Sequence, residues 1–168
     1  MGERLRKSVS FLEGADLSAE MLRRAEAKRV YDRLEKADLQ TLVIPAQADL
    51  VTAADVFMYV GGLEALFARI SASLAPGALF AFSVERHDGD GFVLLASRRY
   101  AHSQAYLMKL LAENGFELLS LDRKPIRMDR GEAIEGLIIV ARRADVAAAT
   151  ATVGEDEINP AAELRLPN

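Results

Sequence analysis

Asp16 stands at the end of the apolar run Ser10–Ala15, in the stretch "GADLSAEML", and Ser18 two residues later is a residue type that caps helices. A carboxylate placed between a strand end and a helix start can accept two charge-assisted hydrogen bonds from vicinal hydroxyls, although a solvated aspartate leading a helix gives the same pattern. Asp38 and Leu39 repeat the arrangement after the short apolar stretch Leu34–Ala37, and Asp55 does so after Ala48–Ala54, with Tyr59 four residues on. Tyr100 and His102 lie in a glycine- and charge-rich stretch. An imidazole has the ordinary pKa of a general base, but a lone histidine beside a helix cap also serves structure. His87 in "RHDGDG" points to metal only faintly, and Arg98–Arg99 reads as an acid-binding pair or as surface charge.

Composition narrows the chemistry. The 168 residues suit about one domain with a sizeable core. Net charge is −4 with both signs interspersed, so neither nucleic acid nor an anionic membrane is expected as the partner. A small molecule or another protein is. There is no cysteine, which removes disulfides, thiolate metal sites and cysteine nucleophiles, and two histidines are too few for most metal clusters. No run approaches the roughly 18 apolar residues of a membrane span, and the first residues lack a signal-peptide core, so a cytoplasmic domain is expected.

The elements that must position these residues follow from periodicity. Gly2–Lys7 suits the last turn of a helix. A strand ending at Ala15 precedes a helix from Ala19 to about Val30, with Met21, Leu22 and Ala25 on one face. Strands follow at Leu34–Ala37 and Ala48–Ala54. Leu63, Leu66, Phe67, Ile70 and Leu74 form one stripe of a helix, Pro76-Gly77 a turn, and Ala78–Val84 a nearly continuous apolar strand that suits coverage on both faces. After the excursion Glu85–Ala101, Ser103 caps a helix to Asn114 that turns Tyr106, Leu107, Leu110 and Leu111 inward. Phe116–Leu121 and Gly136–Ala141 read as an antiparallel pair joined by the polar loop "DRKPIRMDRGEAIE". The segment 145–168 loses periodicity and is expected to be disordered.

In this order the stretches "GADLSAEML", "ADL" (37–39), "AADVFMYVGGLEALF", "LAPGALFAFSVE", "RYAHSQAYL" and "NGFELL" resemble a class I S-adenosylmethionine-dependent methyltransferase. The resemblance is to the small-molecule type found alone or fused to tetratricopeptide repeats. It covers Ser10–Arg143 and implies an α/β, Rossmann-like sheet, mostly parallel with a C-terminal antiparallel pair, over a domain at 1–144. The family's first strand and its Gly-x-Gly-x-Gly loop have no counterpart here. The expectation is a domain that begins inside a longer protein, with a partner strand or a rearranged sheet as alternatives.

What the resemblance implies for the residues is specific. Asp16 would hold the ribose of S-adenosylmethionine, with Leu17 in apolar contact, and Asp38 and Leu39 would take the adenine. Ala54, Asp55 and Tyr59 would lie near the cationic sulfonium, which a carboxylate or an aromatic face favours. Tyr100 and His102 fall where the family builds its acceptor pocket, His102 as base. No metal is implied. The expected activity is methyl transfer to a small molecule, with a homo-oligomer or an upstream repeat domain as further partner. Three other readings stay open: a non-catalytic binding or assembly module, another nucleotide-binding α/β domain such as a dehydrogenase, and a repeat-recruited protein substrate.

Overall fold

The computed structural model describes residues 1–129 and 131–145; the segment predicted to be disordered lies, from residue 146 on, outside them. A short helix α1 (Gly2–Leu5) runs into a 3-10 turn (Arg6–Ser8). Then come β1 (Glu13–Asp16), α2 (Ala19–Glu26) and β2 (Arg33–Lys36). Ser18 caps α2 as its type predicts, its hydroxyl accepting from the Met21 amide at 3.3 Å. The helix stops at Glu26 instead of Val30, and Arg29 just beyond it takes the left-handed conformation (φ 53°) that turns a chain out of a helix. β1 and β2 pair in parallel, with Asp16 opposite Lys36.

The larger sheet is built from β3 (Ala48–Ala53), β4 (Leu74–Arg86), β5 (Phe92–Leu94), β6 (Tyr100–His102), β7 (Phe116–Asp129) and β8 (Glu132–Arg143). A 3-10 turn (Phe57–Tyr59) and α3 (Glu64–Ser73) link β3 to β4, and α4 (Gln104–Glu113) links β6 to β7. β3 runs parallel to β4, and β6 continues that edge in parallel where β3 has ended, pairing Glu85 with Ala101. On the other side β8 runs antiparallel to β4, and β7 antiparallel to β8. Among the described residues β1 pairs only with β2 and β3 only with β4, so the two sheets share no ladder. The break falls between the strand ending at Asp16 and the one leading to Asp55. Arg69 of α3 bridges the two parts, its guanidinium donating to the backbone carbonyls of Leu39 (2.8 Å) and Gln40.

Leu63, Leu66, Phe67 and Ile70 are buried as their spacing predicts, and they pack with Phe57, Phe80, Phe82, Leu107 and Ile139 into one core. Two readings of this region change. The Pro76-Gly77 turn is a bulge inside β4: pairing jumps from Ala48 opposite Leu74 to Leu50 opposite Leu79, and Gly77 takes φ 78°. β4 is also covered on one face, not two. Phe80, Phe82 and Val84 are buried beneath α3 and α4, while Leu79, Ala81 and Ser83 on the opposite face are partly exposed.

The polar loop predicted between the last two strands is itself strand. β7 and β8 pair as far as Asp129 opposite Glu132, well past the last β4 pair at Gly136, and form a two-stranded arm. An antiparallel ladder satisfies its own backbone groups, so the arm needs no apolar alternation to be extended. Its root is tight: a Cβ on Gly136 would lie 2.6 Å from the Val84 carbonyl oxygen and from Ile126.

Candidate functional site

The parallel strands deliver three aspartates to their carboxyl ends, the edge at which open α/β sheets bind ligands. Asp16 ends β1 partly exposed, with Oδ1 accepting from the Ser18 amide at 2.7 Å. Asp38 follows β2, with Oδ1 accepting from the Gln40 amide at 2.8 Å. Each side chain is thus turned by the amide two residues on, and one oxygen of each carboxylate is left for another donor. Leu39 packs against the core and lines a cleft of about 330 Å³ with Gln40, Val60, Gly62, Leu66 and Arg69. Asp16, Asp55 and Tyr59 stand outside that cleft, and Leu17 and Ala54 are exposed.

Asp55, just past β3, adopts φ 59°, a left-handed conformation uncommon outside glycine. Its amide donates to Ser83 Oγ of β4 at 3.1 Å, and its carboxylate accepts from Arg127 Nη1 at 3.3 Å. Arg127 comes from the arm. It also pairs with Glu85, which is buried at the end of β4, and lies 2.8 Å from the Met58 sulfur. Tyr59 projects into solvent close by in the chain. Neither Glu85 nor Arg127 was singled out by the sequence. The available signal was the carboxylate in "FSVER", a charge at the end of an otherwise apolar run.

Tyr100 and His102 are placed differently from a solvent-facing catalytic pair. His102 is fully buried, and its Nε2 lies 2.9 Å from the Gly61 carbonyl oxygen. A carbonyl can only accept, so Nε2 carries the proton and the buried Nδ1 is left as an acceptor without a partner. Phe92 and Tyr106 flank the ring, Tyr106 stacked at 6.0 Å. The Tyr106 hydroxyl accepts from the Leu63 amide (2.8 Å) and donates to Glu64 (2.9 Å), and burial pushes its pKa up to about 12. Tyr100 and Phe92 press on Gly61, where a Cβ would come within 3 Å of both rings. In this arrangement His102 and Tyr106 hold the Gly61–Leu63 loop. His87 is engaged in its own loop, with Nε2 3.2 Å from the Gly91 carbonyl oxygen and Nδ1 accepting from the Gly89 amide. Arg99 pairs with Asp129 of the arm at 2.7 Å.

Burial holds the His102 pKa below its ordinary 6.5, against the carbonyls of Gly61 and Val60, which raise it. The unfolded chain then binds more protons than the folded one as pH drops through that ordinary value. Stability is therefore expected to be full above about pH 6.5 and to decline as pH falls below it. Urea denaturation at stepped pH checks this: His102→Gln should flatten the decline between pH 6.5 and 5, and an unchanged slope would assign it to other groups.

A methyltransferase-domain family model matches residues 3–82. No curated protein matches the chain. Among solved structures, an S-adenosylmethionine-dependent methyltransferase from Methanosarcina mazei is similar at a TM-score of 0.67 and 16% identity, over 86% of this chain and 87% of that one. Another, from Mesorhizobium loti, is similar at 0.62 and 22% identity, over 80% and 81%. The magnesium protoporphyrin IX methyltransferase of Synechocystis, solved with S-adenosylhomocysteine, is similar at 0.65 and 19% identity, over 84% and 68%. The matched segment carries the parallel strands that lead to Asp16 and Asp38, and the fold of the chain is the one these solved methyltransferases share.

Proposed function

We propose that the chain binds S-adenosylmethionine and serves methyl transfer to a small-molecule acceptor held at the carboxyl ends of β3 and β4. The observation that carries this is the pair Asp16 and Asp38, on adjacent parallel strand ends, each with one carboxylate oxygen uncommitted. Asp16 suits the ribose hydroxyls and Asp38 the exocyclic amine of adenine, while Leu39 offers the ring an apolar face in the cleft it lines. These residues fit the nucleoside half of the cofactor. Among the described residues no glycine-rich turn stands beside Asp16.

When bound, S-adenosylmethionine supplies a methyl group made electrophilic by a sulfonium. The chain's own residues set the surroundings: Asp55 and Tyr59 present a carboxylate and an aromatic face that a cation favours. His102 and Tyr106 keep the Gly61–Leu63 loop in place beside the cleft. The acceptor is read as a small molecule because the charge pattern favours neither nucleic acid nor membrane and the cleft is of small-ligand size.

A second reading, a non-catalytic binding module, is favoured by the edges of β1 and β3, which have no further partner strand among the described residues. Calorimetric titration of S-adenosylhomocysteine into the whole chain separates the two. Saturable binding that Asp16→Ala weakens by about tenfold or more is expected, the loss of two hydrogen bonds to a charged group. A folded chain that takes up no ligand would overturn the enzyme reading and leave the module.

A further inference from the structure

Asp55 is fixed from two sides. Ser83 holds its backbone and Arg127 its carboxylate, and Arg127 is in turn fixed by Glu85. Arg127 reaches this point from a bulge in β7, where the register shifts between Pro125 and Arg127, so the arm itself aims the guanidinium. The three charged side chains differ in access: Asp55 is 49% exposed, Arg127 13% and Glu85 4%. A ligand at the ends of β3 and β4 therefore meets the Asp55 carboxylate, not the guanidinium. Two negative charges face one positive, so the cluster carries one negative charge in excess. The neighbouring Arg99 is already paired with Asp129, and Arg86 with Asp88.

We propose that Glu85 and Arg127 are positioning residues that fix Asp55 as the charge facing the reacting centre, so that the site holds a ligand cationic at the position of the transferred methyl in preference to one that is neutral there. This rests on the methyl-transfer reading. The selectivity is electrostatic: a cation at that position meets the free oxygen of Asp55 and the one negative charge in excess, whereas a neutral thioether gains nothing from either. Arg127 does not touch the ligand. It acts by fixing the direction of the Asp55 carboxylate, while Ser83 holds the backbone.

The probe is sinefungin, an analogue of S-adenosylhomocysteine that carries an ammonium where the transferred methyl would lie. Calorimetry on the whole chain reads the ratio of the two dissociation constants. Sinefungin is expected to bind about tenfold more tightly than S-adenosylhomocysteine, and Asp55→Asn to bring the ratio near one. The Glu85→Gln/Arg127→Met double variant strands no buried charge, and a thermal melt confirms that it folds. It is expected to lose at least about half of the logarithm of that ratio, with Arg127→Lys in between. Equal affinities in the unaltered chain, or a folded double variant with the original ratio, overturns the inference while leaving cofactor binding intact. A folded chain that binds neither ligand overturns the methyl-transfer reading and this inference with it.

Discussion

Phe67→Ala is expected to lower the unfolding free energy by about 3–5 kcal/mol, a large part of the 5–15 kcal/mol typical of a domain. The ring is fully buried and meets Phe80 and Phe82 edge-on, with centroids at 5.3 Å and 5.4 Å, and Phe57 at 6.2 Å. Phe80 and Phe82 are themselves stacked on one face of β4, so the cavity is walled by a rigid sheet on one side and cannot collapse far. Loosening α3 also bears on the site, because this helix carries Arg69, which holds the Leu39–Gln40 backbone at the edge of the cleft. Urea denaturation with an unchanged m-value is the measurement. Phe92→Ala is the control, since that ring is 42% exposed, and its cost should be clearly smaller. A loss below about 1 kcal/mol for Phe67→Ala would mean that α3 is not packed on β4 as described.

The parts of this fold that were legible in the sequence are those whose signal is local. The stripe Leu63, Leu66, Phe67, Ile70 has one helical period and one buried face, so the helix between β3 and β4 could be read directly. Asp16 and Asp38 were legible as acids following short apolar runs, and the structure sets both at strand ends. The parts that were missed depend on residues far apart in the chain. Glu85 meets Arg127 across 42 positions, and His102 meets Gly61 across 41. Nothing around His102 distinguishes a buried ring that holds a loop from an exposed base. The arm suggests a loop from sequence because charged residues and Pro125 interrupt it, and its few apolar residues, Ile126, Met128 and Ile134, give too short an alternation to stand out where strand pairing extends past the core. β4 was read as covered twice because Ala81 and Leu79 are apolar, yet the helices among the described residues that pack on it cover only the phenylalanine face.

Arg127→Met should cost about 3–5 kcal/mol, the range seen when one member of a buried ion pair is removed. The cost is not the strength of the pair in isolation. Glu85 is 4% exposed at the end of β4, and without Arg127 its carboxylate would be left charged, desolvated and without a compensating cation. The relevant comparison is therefore the variant in which both charges are gone. Glu85→Gln/Arg127→Met should recover most of the loss, because the desolvation of two ions disappears along with their attraction. A double-mutant cycle from urea denaturation measures the difference as a coupling energy. Asp55 should contribute little to it, since that carboxylate is half in water and its contact with Arg127 is the longer one, at 3.3 Å. Strong coupling between Arg127 and Glu85 is the pattern that keeps the guanidinium anchored at the point from which it directs Asp55. If single and double variants lose equal stability, the cost lies in the packing of the side chain against Met58, and the pair does not anchor the arm through charge.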